Sequence, residues 1–406
     1  MKWFAPFALM IPSACALAQS SIEIYGITDA GVNFLSNAQT GKVGGRPTGI
    51  ARWAFYDGSV GGQQGSRLGV RGFEDLGGGY KALIRLENGF SLQNGAAGQG
   101  GAIFGREAWT GIQAPYGQIT LGRQYSAIVQ FYAPTLAAQQ WAGYMSAHPG
   151  DLDDASKTWR INNSLKYTSP VISGWQFGGV IGREGNSGEP GSVTVWSIGA
   201  AFQDGGFRLG AGFLDADKPN TSFFGSNVNS AGALSNNMGS TGSLTSAESN
   251  PVFGGYASAR SLRILALAAS YAHNPATVTL AYSRTSFVGL GSNAGPNPFR
   301  YTGTATFDDV ELSGLYQMTS SFAVGTEVNY LRGGSVDGKN DARYATASVG
   351  VMYFLSKSTD LYSLVVGEKA TGTDSFDQPS VAAITGMTPS SSSFQLAVRI
   401  GMKYTF

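Results

Sequence analysis

Six basic residues, Arg67, Arg71, Lys81, Arg85, Arg106 and Arg123, lie between positions 67 and 123. Arg67 and Arg71 alternate with Leu68 and Val70, and Lys81 and Arg85 alternate with Ala82, Ile84 and Leu86. In an extended chain alternate side chains point to opposite faces, so these cations share a face that the apolar residues avoid. Fixed cations on one wall of a watery passage attract anions and sort solutes by charge. Further along come Asp151, Asp153 and Asp154. Set opposite the arginines, they would turn the field across the passage. An exposed turn or a calcium site is the alternative for these three. Arg123 has the parity of Ile119 and Leu121, so it needs a bulge, or a place beyond the membrane, to join the basic wall. The inward reading is the economical one, because an arginine facing a bilayer midplane costs about 2–4 kcal/mol.

Catalytic chemistry has little support. The chain has two histidines, His148 beside Pro149 and His273 in a turn-like His273-Asn274-Pro275 segment. Neither has a serine and an acid on a common strand face, as a hydrolase would need. No zinc spacing, phosphate loop or dinucleotide fingerprint occurs, and nothing calls for a cofactor or metal.

The composition indicates what could hold these residues. Of 406 residues 13% are charged and 58 are glycine, about half and twice the ordinary shares. The charge balance, 27 basic to 26 acidic, does not favour nucleic acid as a partner. After residue 18 no apolar run approaches the length of a spanning helix.

Sheet is the remaining way to bury apolar faces in a membrane. In the last 13 residues Phe394, Leu396, Val398, Ile400, Met402, Tyr404 and Phe406 alternate without exception with Gln395, Ala397, Arg399, Gly401, Lys403 and Thr405. A soluble strand averages about 6 residues, whereas a tilted membrane strand needs about 9–11. The alternation recurs at 22–34, 207–213, 277–283 and 322–330. Tight turns are expected near 74–78, 115–117, 172–174, 204–205, 273–275, 319–320 and 356–358, where Gly, Asn, Asp, Pro or Ser supply the geometry. Long loops are expected near 35–65, 92–103, 126–160, 184–192, 215–259, 289–303, 332–342 and 369–392. Seven turns and eight loops join 16 strands. The expected fold is an all-β, 16-stranded antiparallel transmembrane β-barrel, with short periplasmic turns and long outer loops.

Residues 1–18 read as a signal peptide: a basic Met1-Lys2 start, an apolar run to Leu17 and an Ala16-Leu17-Ala18 cleavage pattern. A buried N-terminal strand or helix, or a lipoprotein site at Cys15, are the other readings. Cleavage would leave the barrel domain, 19–406, with no cysteine and no net charge.

Several segments carry a resemblance. Ser21-Ile22-Glu23-Ile24-Tyr25-Gly26-Ile27-Thr28-Asp29-Ala30-Gly31 is similar to the opening strand of Gram-negative general porins of the betaproteobacterial type. Residues 66–79, Leu121-Gly122-Arg123-Gln124, 160–167 and the closing Gly401-Met402-Lys403-Tyr404-Thr405-Phe406 resemble later marks of that family. Leu68 stands where many members have Trp. The resemblance implies a homotrimer in the cell outer membrane, surrounded by lipid and lipopolysaccharide, with one pore per subunit and a third loop folded inward. It makes Tyr404 and Phe406 part of a terminal signal read by the barrel-assembly machinery. The expected function is passive diffusion of small hydrophilic solutes and ions, with weak anion preference. A substrate-specific channel of the same architecture, or a structural or adhesive barrel, are the alternatives. Tyr25, Tyr125 and Tyr132 are possible lumen aromatics, but they form no series of the kind a sugar slide would need.

Overall fold

The computed structural model describes residues 20–183, 195–224, 235–240, 245–292, 295–339 and 341–406. The expected leader over 1–18 and the expected loop over 184–192 lie outside them. The strands are β1 Ser21–Val43, β2 Arg46–Asp57, β3 Arg67–Gly77, β4 Tyr80–Gly89, β5 Glu107–Ala114, β6 Gly117–Gln124, β7 Ile161–Thr168 and β8 Trp175–Gly182. They continue as β9 Val195–Asp204, β10 Phe207–Asp217, β11 Ser261–His273, β12 Ala276–Leu290, β13 Gly303–Thr319, β14 Phe322–Gly333, β15 Arg343–Phe354, β16 Thr359–Thr371 and β17 Phe394–Thr405. From β3 onward each strand pairs antiparallel with the next, and β17 returns to β1, which closes the sheet.

Seventeen segments make a barrel of 16 strands because β2 and β3 lie end to end along one edge of β1. Ala30 pairs with Asp57 and Ile27 pairs with Arg67, so residues 58–66 leave the wall between them. This corrects the expected outer loop over 35–65. Most of that span is strand, turned tightly at Gly44-Gly45, and its end is an inward excursion. The hydropathy pattern hid the strands, since beyond the bilayer neither face of a hairpin must be apolar. The seven tight turns lie where the sequence placed them.

The outer surface carries the apolar register. Ile22, Ile24, Val328, Leu280, Leu312 and Ile400 are exposed along it. Aromatic residues edge it on both sides, with Trp175, Tyr271, Tyr316 and Tyr353 toward the turns and Trp53, Trp196 and Tyr330 toward the loops. These tryptophans supply the girdle without one at Leu68. Cross-strand aromatic pairs such as Trp175 with Phe202, 4.9 Å between centroids, add to ladder stability.

The chain end completes the wall. The Gly26 and Phe406 amides and carbonyls exchange hydrogen bonds of 2.9 and 3.0 Å. The Phe406 ring lies so close that a Cβ on Gly26 would meet its Cζ at 2.4 Å. Deleting Phe406 is expected to lower the amount of assembled barrel in the outer membrane, with single-channel current unchanged in the molecules that do assemble. Heat-modifiable gel mobility of membrane fractions checks this; wild-type amounts would refute it.

The interior is not uniformly polar. Leu214, Leu262, Ile264, Ala266, Ala281 and Phe287 face inward, where they bury against Ile128, Tyr132, Phe224, Phe253 and Tyr256 from the long loops. Apolar residues on both faces explain the unbroken Ile264-to-Ala269 run. The loops fill this side of the barrel.

Candidate functional site: a narrowed passage against a basic wall

The connection 125–160, here loop 3, folds into the barrel. Glycines on the inner wall let its backbone approach. A Cβ on Gly210 would lie 2.4 Å from the Phe131 carbonyl oxygen, and one on Gly325 would lie 2.3 Å from the Trp141 ring. The 58–66 excursion meets loop 3 from the other side: Tyr144 N donates to Gly62 O at 2.8 Å, and Gln63 Nε2 donates to Trp141 O at 3.0 Å. A buried cluster fixes the excursion to the wall. Arg399 donates to Asp29 Oδ1 at 3.0 Å and to Asn33 Oδ1 at 2.8 Å, and the Gln64 amide donates to Asp29 Oδ2 at 2.9 Å.

Between these segments lies a cavity of about 290 Å³. Its charged lining is Arg67, Arg106, Lys157 and Arg160, with Gln63, Gln64, Gln99 and Gln139 among the neutral polar residues. Tyr144, Thr158 and Trp159 also border a second cavity of about 300 Å³ on the loop side, beneath residues 249–253 and 383–387. A third space of about 330 Å³ toward the turns is lined by Glu23, Arg71, Arg85, Trp109 and Gln113.

The basic wall is a paired ladder. Glu87 accepts from Arg106 Nε at 2.7 Å and from Arg85 Nη2 at 3.2 Å, and lies 4.0 Å from Arg67 Nη1. Arg85 Nε reaches Glu107 at 2.9 Å, and Arg71 holds Glu23 through two bonds of 2.8 Å. Tyr25 donates to Glu87 at 2.9 Å, and both Arg71 and Arg85 lie over its ring, at 5.2 and 5.4 Å. Lys81 sits nearest the turns, 4.6 Å over the Phe73 ring. Arg123 stands apart. It falls at the register shift between Gly122 and Gln124, where it donates to Gly105 O at 2.8 Å and to Asn162. It is not among the cavity-lining residues.

Asp151, Asp153 and Asp154 are brought together, but against protein donors and not against the passage. All three are at most 2% exposed. Asp151 accepts from Ser156 N and Thr158 Oγ1, and Asp154 from Ser126 Oγ and Trp159 N. Asp153 Oδ2 lies 2.7 Å from His148 Nδ1, and His148 Nε2 lies 3.1 Å from Glu311 on β13. Burial would lower the His148 imidazole, but Asp309 and Asp153 hold it well above its ordinary value. Burial raises Asp153, and His148 more than offsets that, leaving it below the usual carboxylate range. Burial, with Asp153 nearby, pushes Asp151 up to about 7; burial and Asp151 push Asp154 well above the carboxylate range. Asp153, through His148, therefore clamps loop 3 to the barrel, while Asp151 and Asp154 hold the loop's own fold. The expected opposing field across the passage is not what their positions give, because their oxygens are turned into the packed loop.

Sequence reasoning missed Glu87, Glu107, Lys157 and Arg160 as lining or supporting residues. The parity that placed Arg85 inward also places Glu87 there. Lys157 and Arg160 lie in an irregular loop, where no period could reveal their direction.

The family model for Gram-negative porins matches residues 5–369. The chain belongs to the Gram-negative porins. An outer membrane porin protein of Bordetella pertussis is 29% identical over 369 residues, covering 86% of this porin and 89% of that protein. Among solved structures, the anion-selective porin from Comamonas acidovorans superposes with a TM-score of 0.69 at 19% identity, covering 96% of this chain and 100% of that one. OmpT of Vibrio cholerae, in a trimer form, superposes with a TM-score of 0.61 at 13% identity, covering 95% and 99%. This porin is a general outer-membrane channel and not an enzyme.

Proposed function

We propose that the porin passes small hydrophilic solutes and ions with a weak preference for anions, as a homotrimer exported by its first 18 residues. The observation that carries this reading is the charge of the narrow cavity, where Arg67, Arg106, Lys157 and Arg160 appear without a carboxylate among the described lining residues. Glu87 and Glu107 stand behind the arginines and compensate part of their charge, which keeps the preference weak. Selectivity is dominated by charges within about one Debye length, roughly 8–10 Å at ordinary salt. The Comamonas acidovorans protein is an anion-selective porin, which agrees in sign. The trimer form of the Vibrio cholerae protein supports the assembly.

The test is the reversal potential of the wild-type porin in a planar bilayer under a salt gradient. A reversal potential toward the anion side is expected, and one toward the cation side would refute the reading. Swelling of liposomes in neutral sugars of graded size should show a size cutoff and no single saturable solute.

The preference should also fall with rising pH. Burial, with Arg67 and Arg106 nearby, brings the Lys157 ammonium down to about 8, so it loses charge as pH rises through that value. The change acts against anions. Reversal potentials at pH 6 and pH 9 check this, and Lys157→Arg should blunt the change, since arginine stays charged throughout.

A further inference from the structure

We propose that Lys157 and Trp159, near the end of loop 3, bind small aromatic carboxylates, which the channel holds longer than other anions of their size. The inference rests on the anion preference proposed above and names the anions that the passage favours. Lys157, Thr158 and Trp159 line the basic cavity, and Thr158 and Trp159 also border the cavity on the loop side. The arginines of the basic cavity are already engaged. Arg106 donates to Glu87, Arg67 to Gln64 Oε1 and the Gly65 carbonyl, and Arg160 to Tyr125 Oη and the Thr158 carbonyl. The half-buried Lys157 ammonium differs from them, with no hydrogen bond or ion pair among the described residues. A charged group drawn out of bulk water without a partner is costly. A carboxylate entering from solution supplies both the opposite charge and the acceptor oxygens.

The indole decides the rest of the ligand. Trp159 packs on a buried aromatic cluster that includes Phe223, Phe224, Phe253 and Phe287. Phe224 meets the indole edge-on, 4.4 Å between centroids, and Phe223 lies at 5.8 Å. The Trp159 amide donates to Asp154 Oδ1 at 3.1 Å, which fixes the backbone that carries the ring. The ring is therefore held, yet it is only half-buried and borders both cavities. A fixed indole two residues from an unpaired ammonium presents a flat apolar surface beside a positive charge. Aromatic rings associate more favourably than their buried area alone accounts for. A neutral ring satisfies only the indole, and an aliphatic carboxylate only the ammonium; an aromatic carboxylate satisfies both. Cavities of about 290 and 300 Å³ lie at the small end of ligand sites, which suits a solute with a single ring.

The test is block of single-channel current through the full porin in a planar bilayer, with benzoate, cyclohexanecarboxylate and benzyl alcohol as probes. Benzoate should halve the current at a concentration about fivefold below that needed for cyclohexanecarboxylate, which has the same charge and nearly the same size. Benzyl alcohol, with the ring but no charge, should leave the current unchanged at the benzoate concentration. Trp159→Leu should close the gap between the two acids, and Trp159→Phe should keep most of it. Lys157→Gln should weaken both acids together and preserve their ratio. Because a ratio is read, a loop loosened by substitution shifts both acids alike and does not imitate the result. Equal block of the wild type by the two acids would overturn the proposal, and so would block by benzyl alcohol at the benzoate concentration or an undiminished ratio in Trp159→Leu. Equal block in a channel whose reversal potential is anion-directed overturns this proposal alone, whereas a cation-directed reversal potential overturns the reading on which it rests.

Discussion

Replacing His148 with Ala is expected to release loop 3 from the barrel wall and enlarge the single-channel current. The imidazole stands between Asp153 of the loop and Asp309 and Glu311 of β13, 2.7, 3.5 and 3.1 Å away. It is the cation that lets these carboxylates be buried together. Removing one partner of a buried ionic cluster typically costs about 3–5 kcal/mol, because the remaining charges are left uncompensated. The barrel itself has a continuous ladder and should persist, so the strain is relieved where the structure is weakest, in the loop. Expected results are a larger and noisier current, a higher size cutoff in liposome swelling, and unchanged heat-modifiable mobility. Glu311→Gln should act in the same direction but more weakly, since the amide oxygen can still accept from Ala137 N and Ser313 Oγ. The stabilisation from His148 is fully present below its unfolded value of about 6.5 and is lost only as pH rises through the raised folded value. Asp153, held low, gives stabilisation that is lost only as pH falls through its depressed value. The clamp should therefore stay closed across neutral pH. Wild-type current in His148→Ala would show that glycine-seated packing alone holds the loop.

The double replacement Arg67→Ala with Arg85→Ala is expected to reverse the sign of ion preference and raise conductance. Arg67 lines the narrow cavity, while Arg85 links Glu87 to Glu107 just beneath it. Without these two guanidinium groups Glu87 keeps Arg106, at 2.7 Å, as its one ion-pair partner among the described residues, and Glu107 loses its ion pair. In the cluster next to the cavity one arginine, Arg106, then faces two carboxylates, Glu87 and Glu107, and charges this close to the narrow point are weakly screened. The reversal potential should move toward cations and the current should grow as two large side chains leave the passage. Replacing Asp151, Asp153 and Asp154 with Asn should shift selectivity far less, since those groups are buried in the loop, and should instead loosen loop 3. An unchanged reversal potential in the arginine variant would place the selective residues elsewhere.

Alternation by itself determined the wall of this porin. With a side-chain period of 2, one unbroken stretch such as 394–406 sets both the register and the face of every residue in it. For that reason most of the strands, the seven turns, and the inward direction of Arg67, Arg71, Lys81 and Arg85 were legible, whereas the end of β1 and β2 were not. The same rule would have yielded Glu87 and Glu107. What lies inside the barrel has no such rule. Residues 58–66 and 125–160 are irregular, and their positions follow from contacts with strands far away in sequence, such as Trp141 on Gly325 and His148 on Glu311. The aspartate triplet reads as a charged rim because sequence shows charge and not burial; His148 and the hydrogen bonds of the folded loop turn it into a clamp. The inner faces of β10 and β11 carry Leu214, Leu262, Ile264 and Ala266, which pack against loops and not against water. Local period fixes the direction of a strand residue, whereas the tertiary fold alone decides whether that direction leads to lipid, to water or to another part of the same chain.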